Sequence, residues 1–421
     1  MVKPAVPLKD EDIRCTRHLQ KVFDLLDGLA DVGCARDRAG NRELFFSDYC
    51  KLVLLYIWNP LIESVRSLQE AAALDGVSRA LKIKRFSLGS FSESVRVFEA
   101  QKLKPIMDEL AREAAPLIRD ARLDSVKHAL TLVDGTVLVG LKRLTHAACG
   151  IDGRHNRVRD GREIYGWRLH TQLDMETFRP LRMERTGARN AGANRESHVL
   201  RRHLEAGRCY VGDCVYSERT LLDDIVDAKS VYVMRAAENS VCSVLEERLL
   251  TQEALDSGVV RDALVVLDGA GTRATRHAMR RVEVQVQRHP RRRVSPEKKQ
   301  TDLIILHTNL LDLPAELIAL IYQYRYTVEL YFRVFKQLLG MRHLLSQRKE
   351  GIDIQVYCTV IVCLLISLMT GKKPDKYTRN MVGWYLLGVA SKQEFIQFLN
   401  RPDNTGVKKR AEAELWKKLG Y

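Results

Sequence analysis

The chain has 421 residues, 46% of them hydrophobic and 29% charged, enough for two or three domains and a large core, with no low-complexity tract and no internal repeat. Nine cysteines stand singly with no Cys-x-x-Cys pair, which argues against a zinc ribbon and a disulfide framework and suits a reducing cytoplasm. The first residues lack the apolar core of a signal peptide, so secretion is not expected, and a formal net charge of +15 points to a polyanionic partner.

The first hundred residues predict helices, since Leu19, Val22, Phe23 and Leu26, then Leu52, Leu55, Ile57 and Ile62, recur at helical spacing. Two further segments, Ser64 to Leu74 and Phe91 to Ala100, bracket the turn-rich Asp75-Gly76 and Ser87-Leu88-Gly89-Ser90. They suit either a DNA-binding module of helix-turn-helix type or a plain helical packing domain.

Near residue 125 the character changes. His128 to Val139 predicts a β-strand interrupted at Asp134-Gly135-Thr136, and Gly166 to Leu173 a second strand, with an Arg-rich loop around Arg154 to Arg162 between them. Cys209-Tyr210-Val211 is a short strand ending at Gly212-Asp213. Ser217 is placed to cap a helix carrying Leu221, Leu222, Ile225 and Val226, and Val231 to Met234 resumes as a strand. Strand, helix and strand in that compass imply a parallel pair.

Residues 238–310 read as β-rich through Val265-Val266-Leu267, Val282 to Val286 and Leu303 to Leu306. Between Gly271 and Gln300 there are ten Lys or Arg against two acidic residues, either a solvated loop or a polyanion contact. After Pro314 the chain returns to helix. From Ile354 to Gly371 no residue is charged, but Gln355, Thr359, Ser367 and Thr370 favour a buried core helix over a membrane span.

One predicted helix, Tyr322 to Leu339, carries the chemistry. At about 100° per residue, Tyr322, Arg325, Glu329 and Lys336 fall within roughly 60° of one another, with Arg333 close by. Val328, Phe332, Phe335 and Leu339 form an apolar stripe alongside. The polar stripe suits a solvated face with Arg325 and Glu329 as an i, i+4 ion pair. It also suits a carboxylate that meets a metal ion and a phosphodiester at the border of a core. Asp134 and Asp213, at or near strand ends, are the other candidate ligands. Two or three convergent carboxylates can hold two Mg²⁺ ions when a phosphate supplies the remaining oxygens.

The spacing Tyr322-x2-Arg325-x3-Glu329-x6-Lys336 resembles the Tyr-Arg-Glu-Lys signature of the IS-four family of bacterial insertion-sequence transposases. Val133 to Thr136 and Gly212 to Ser217 resemble that family's segments around its first and second Asp, and the likeness covers roughly residues 125 to 370. Two positions depart from it. Tyr326 stands where Trp often follows the signature Arg, and Val215-Tyr216 stands where Gly-Tyr is common. No Trp lies between 168 and 383, so a base-stabilising Trp of the insertion cannot be assigned.

The resemblance implies an α/β fold with an RNase-H-like mixed sheet flanked by helices and interrupted by a β-rich insertion. The expected division is a helical, DNA-binding N-terminal domain over 1–120, the first part of the core over 121–237, the insertion over 238–310, and the second part of the core with C-terminal helices over 311–421. It implies Asp134, Asp213 and Glu329 as catalytic ligands of two Mg²⁺ ions, with Mn²⁺ as a substitute. Tyr322, Arg325 and Lys336 would contact DNA phosphates. Arg333 is a further DNA contact by its place on the stripe, and Arg291, Arg292 and Arg293 by the charge of the basic stretch. The implied activity is cut-and-paste transposition by a homodimer on transposon-end and target DNA, in the cytoplasm at the nucleoid and without a membrane. The alternatives are a related metal-dependent nuclease, a domesticated DNA-binding protein without catalysis, and a metal-independent tyrosine recombinase.

Overall fold

The computed structural model describes residues 15–38, 40, 42–59, 62–114, 116–117, 120–139, 166–187, 191–237, 239–268, 273–287, 301–339, 344–346, 348–374, 376–386 and 389–400. The Arg-rich loop around Arg154 to Arg162 and the triplet Arg291, Arg292 and Arg293 lie outside the described residues. The chain forms two compact units, one comprising Met1–Leu117, Leu138–Trp167 and Tyr331–Arg401, the other Ile118–Val137, Arg168–Leu330 and Pro402–Tyr421.

The first unit is helical. It opens with α1 (Cys15–Asp27), α2 (Phe46–Trp58), α3 (Val65–Ala72), α4 (Asp75–Leu81), α5 (Leu88–Ser94) and α6 (Lys104–Glu113). Two segments expected to be turns are helix starts. Asp75-Gly76 opens α4, and the Ser87 hydroxyl accepts the Ser90 N–H at 2.9 Å and so caps α5. The stretch expected as a helix from Phe91 to Ala100 accordingly ends at Ser94.

The second unit holds most of a nine-stranded mixed sheet. Its elements in order are β1 (Ala129–Val139), β2 (Gly166–Asp174), β3 (Pro180–Gly187), α7 (Glu196–Arg201), β4 (Arg208–Gly212), α8 (Arg219–Asp227), β5 (Val231–Arg235), β6 (Ser243–Glu247), α9 (Gln252–Asp256), β7 (Val259–Val266), β8 (Met279–Gln287), β9 (Thr301–Thr308), α10 (Ala315–Gln323) and α11 (Tyr326–Leu339). The last residues of α11 belong to the helical unit, which ends with α12 (Lys349–Thr370), α13 (Lys376–Leu386) and α14 (Lys392–Asn400).

Helix α12 carries the uncharged segment after its charged first turn, and 83% of its most apolar stretch is buried inside the protein. It packs on α6, α2 and α1. Its polar residues find partners within the fold. The Thr359 hydroxyl donates to the Gln355 carbonyl at 2.7 Å, the Ser367 hydroxyl to the Cys363 carbonyl at 3.1 Å, and the Gln355 side-chain oxygen accepts the Leu345 N–H at 3.1 Å. Gly371, at φ 62°, closes the helix in the left-handed conformation that favours glycine.

The sheet order is β3-β2-β1-β4-β5-β9-β8-β7-β6. Strands β1, β4 and β5 run parallel, and β9, β8, β7 and β6 continue from β5 in antiparallel pairs. A mixed sheet flanked by helices is the expected fold class, consistent with an RNase-H-like core. The β-rich residues 238–310 extend the same sheet, because β9 pairs directly with β5 through Val233–Thr308, Met234–His307 and Arg235–Leu306. Their core is shared with the parallel strands: Val265, Leu267 and Met279 lie in one apolar cluster with Val133, Tyr210, Tyr232 and Met234. Within the extension, Arg280 and Asp262 form an ion pair with both side chains at 5% exposure or less, and Arg280 also donates to the Leu310 carbonyl at 2.9 Å.

His307, fully buried between β5 and β8, has no hydrogen-bond partner at either ring nitrogen. Burial, reinforced by Arg281, pushes its pKa down to about 4, and burial does the same to His170 on β2, where Arg168 adds to it. A folded pKa below the unfolded value of about 6.5 means that the native state binds fewer protons. Stability is therefore fully present above pH 6.5 and is lost as pH falls toward 4, by about 3 kcal/mol per histidine. Urea unfolding of wild type and His307→Leu at pH 7.0, 5.5 and 4.5 should show a shallower acid loss in the variant. Equal losses would contradict this assignment.

Candidate active site

The two aspartates are brought together by strand register. Strand β1 pairs with β4 from Ala129–Arg208 to Leu132–Val211, and continuing the same register brings Asp134 level with Asp213. In a parallel pair, residues at one level point to the same face of the sheet. Asp134 stands in the middle of β1, which runs unbroken through Asp134-Gly135-Thr136 instead of stopping there. Strand β4 does end, at Gly212, and Asp213 follows it.

Each aspartate spends one oxygen on the backbone. Asp134 Oδ1 accepts the Gly135 N–H at 2.8 Å, and Asp213 Oδ1 accepts the Val215 N–H at 2.9 Å. The second bond caps a 3₁₀ turn over Cys214–Tyr216. Helix α8 then starts at Arg219 with Glu218 before it, so Ser217 is not its cap. Gly212 lies so close to its surroundings that a Cβ there would meet Val133, Tyr216 and Met234 side-chain atoms at 2.9 Å.

The electrostatics show how crowded the site is. Burial, then the Asp213 and Glu196 carboxylates, push the Asp134 pKa up to about 7, against the opposing pull of Arg325 and the Gly135 N–H. Arg325 is largely buried, which by itself opposes its charge, but Tyr322, Glu329 and Asp134 hold it above the usual guanidinium range.

Arg325 reaches this place through a break in the helix predicted from Tyr322 to Leu339. Helix α10 ends at Gln323 and α11 begins at Tyr326. Between them the backbone closes with i to i−3 bonds, Tyr324 N–H to the Ile321 carbonyl and Arg325 N–H to the Tyr322 carbonyl. The Tyr324 hydroxyl donates to Asp120 at 2.8 Å, which anchors the break to the segment before β1. Asp120 is itself held down to about 2, chiefly by Arg122 and secondarily by Tyr324.

Tyr322 is buried, with the Arg325 guanidinium 5.9 Å from its ring centroid. Glu329, in the first turn of α11, accepts from Arg325 at 2.5 Å and keeps 41% side-chain exposure. Val328 is buried on the neighbouring face, as are Phe332 and Phe335. Arg333 is exposed and Lys336 half-buried, both in the helical unit.

Asp134 thus interacts with both Asp213 and Arg325, and Glu329 is tied to Arg325. Among the described residues no three His, Cys, Asp or Glu side chains are assembled as a metal site. The donor set nevertheless fits a hard divalent cation, since oxygen-only ligands that repel one another are what such an ion requires. One residue absent from the sequence reading is Glu196. It faces the pair from α7 with 4% exposure. Nothing in Asn194-Arg195-Glu196-Ser197 marks it, because an acid in a first helical turn is ordinarily solvated.

The transposase DDE domain family matches residues 126–365, more than half of the chain, and the chain belongs to that family. It is 26% identical over 255 residues to a protein of Sinorhizobium fredii (strain NBRC 101917 / NGR234) named "Putative transposase y4zB", a match covering 61% of this chain and 64% of that relative. The chain therefore spans a little under two thirds of its relative's length. Among solved structures, a piggyBac transposase in a synaptic complex with hairpin DNA aligns over 96% of this chain and 86% of that one, with a TM-score of 0.44 and 11% identity.

Without a cation, two carboxylates at one level cost stability. Asp134→Asn should therefore melt higher than wild type in metal-free buffer at pH 8, by roughly 1–2 °C, the shift that about 1–2 kcal/mol produces in a protein of 421 residues. A lower melting temperature would show that Asp134 is not under repulsion.

Proposed function

We propose that this protein is a DNA transposase of IS-four type that cleaves transposon ends and joins them to target DNA. The observation that carries the reading is the level pair Asp134 and Asp213 with Arg325 beside it, inside a transposase DDE domain. The Tyr322, Arg325, Glu329 and Lys336 spacing supports the IS-four assignment. Asp134, Asp213 and Glu329 would hold two Mg²⁺ ions, or Mn²⁺ in their place. When bound, such ions supply charge stabilisation at both the attacking and the leaving oxygen of an in-line displacement.

The protein's own side chains have separate tasks. Asp134 and Asp213 each keep one oxygen on a backbone N–H, which fixes the direction of the other. Arg325 presents a forked donor suited to a phosphate, and exchanging Glu329 for that phosphate would release the carboxylate toward the aspartates. Tyr322 supports the guanidinium from below. Lys336 and Arg333 would meet DNA further along α11. In the reaction, water opens the strand at the transposon end and leaves a 3′-OH, which then attacks a second phosphodiester. No covalent enzyme intermediate is required. Pairing two ends calls for at least a homodimer, working in the cytoplasm at the nucleoid.

Cleavage and joining of DNA that carries the element's ends test this reading. Wild type should cut in Mg²⁺ and fail in EDTA. Glu329→Gln should lose more than about 100-fold, as expected when a ligand worth several kcal/mol in the transition state is removed. Undiminished cutting by the variant, or activity surviving EDTA, would overturn it. Cutting without joining would reassign the protein as a nuclease.

The basic stretch has its own test. Each lost phosphate contact flattens the dependence of log K on log salt by about 0.9. Replacing Arg291, Arg292 and Arg293 together should therefore reduce the salt slope of DNA binding, and an unchanged slope would remove those residues from the DNA contact.

A further inference from the structure

We propose that Glu196 is a positioning residue whose buried carboxylate clasps the backbone segment that follows each aspartate and so sets how Asp134 and Asp213 are spaced to hold a divalent cation. The proposal rests on the reading of this pair as metal ligands.

Glu196 opens α7, where an acid gains from the helix dipole while staying in water. Here the side chain turns inward to 5% exposure, a costly burial that needs partners. It has them on both aspartate-bearing segments. Its Oε2 accepts the Tyr216 hydroxyl at 3.0 Å, and Tyr216 is the last residue of the turn that Asp213 caps. On the other side, Gly135, directly after Asp134, lies against the same carboxylate. A Cβ on Gly135 would sit 2.6 Å from Cδ and 2.7 and 2.8 Å from the two oxygens. No other residue type fits without moving Glu196.

The third partner is Arg168 on β2, whose Nη1 donates to Oε1. Its charge offsets that of Glu196, so the acid can lie near two aspartates without simply adding a third repelling group. The contacts continue outward through Ser197, whose hydroxyl donates to Glu218 at 2.7 Å just before α8. Glu196 meets the residues that follow the two aspartates. It acts on their neighbours, Gly135 and Tyr216, and through them on the distance between β1 and the turn after β4. Partners of this kind behind metal ligands are typically worth about 10–100-fold in metal affinity.

The test is Mn²⁺ binding to the full-length, DNA-free protein, followed by electron paramagnetic resonance of free and bound ion, with thermal melting in parallel. Wild type should bind and Asp134→Asn should lose binding. Glu196→Gln removes the charge, and Tyr216→Phe removes one hydrogen bond while keeping the ring. Each should weaken Mn²⁺ by roughly 10–100-fold and alter the bound spectrum. Tyr216→Phe should melt within a few degrees of wild type, and it decides the matter where Glu196→Gln fails to fold. Wild-type affinity and spectrum in the folded variants, with binding lost in Asp134→Asn, overturn the positioning role and leave the metal site intact. Absence of binding in wild type, or unchanged binding in Asp134→Asn, overturns both.

Discussion

The parallel pairing of β1 with β4 is the constraint on which the site depends. It sets Asp134 and Asp213 at one level. Backbone hydrogen bonds hold that register, and a shift by one residue would turn Asp134 to the other face of the sheet. The close approach at Gly212, where Val133, Tyr216 and Met234 leave no room for a Cβ, keeps three strands packed at this level. The geometry of two acids is thus guaranteed by groups that carry no charge.

That guarantee has an electrostatic cost, and the surroundings are arranged to limit it. Each aspartate receives a backbone N–H, and Arg325 supplies a full positive charge. A continuous helix from Tyr322 onward would hold Arg325 and Glu329 on one outward stripe. The tight join at Tyr324 and Arg325, anchored through Asp120, instead brings Arg325 inward over Tyr322 until it senses Asp134. Glu329 stays half-exposed and paired to the same arginine. One guanidinium therefore serves acids from a strand and from a helix.

Much of this was legible in the sequence, and the failures have physical reasons. Strands such as Cys209 to Val211 and Val231 to Met234 are short apolar runs buried on both faces, which composition reveals directly. The polar residues of α12 could be read as core positions because Thr and Ser bond back to their own helix. The break before α11 was not legible. Tyr324 and Arg325 are acceptable helix residues, and only a tertiary bond to Asp120 favours the join there. Nor was the unbroken course of β1 through Asp134-Gly135-Thr136, since those residues suggest a turn until Glu196 is known to lie against Gly135. Contacts between residues distant in sequence leave no periodic trace.

The same distinction separates the two kinds of buried charge in the sheet. Arg280 and Asp262 are fully paired, and Arg280 also satisfies the carbonyls after β9, so that pair ties the antiparallel extension to the chain entering α10. Asp134 is under-compensated by comparison: burial and two neighbouring carboxylates outweigh one arginine and one N–H. A fold that can build a balanced ion pair a few strands away leaves its imbalance at the level of the two aspartates. Such an imbalance is tolerated where a further positive charge is bound, and in the proposed reading it is this residual negative field, more than any one carboxylate, that places the chemistry at the end of β4.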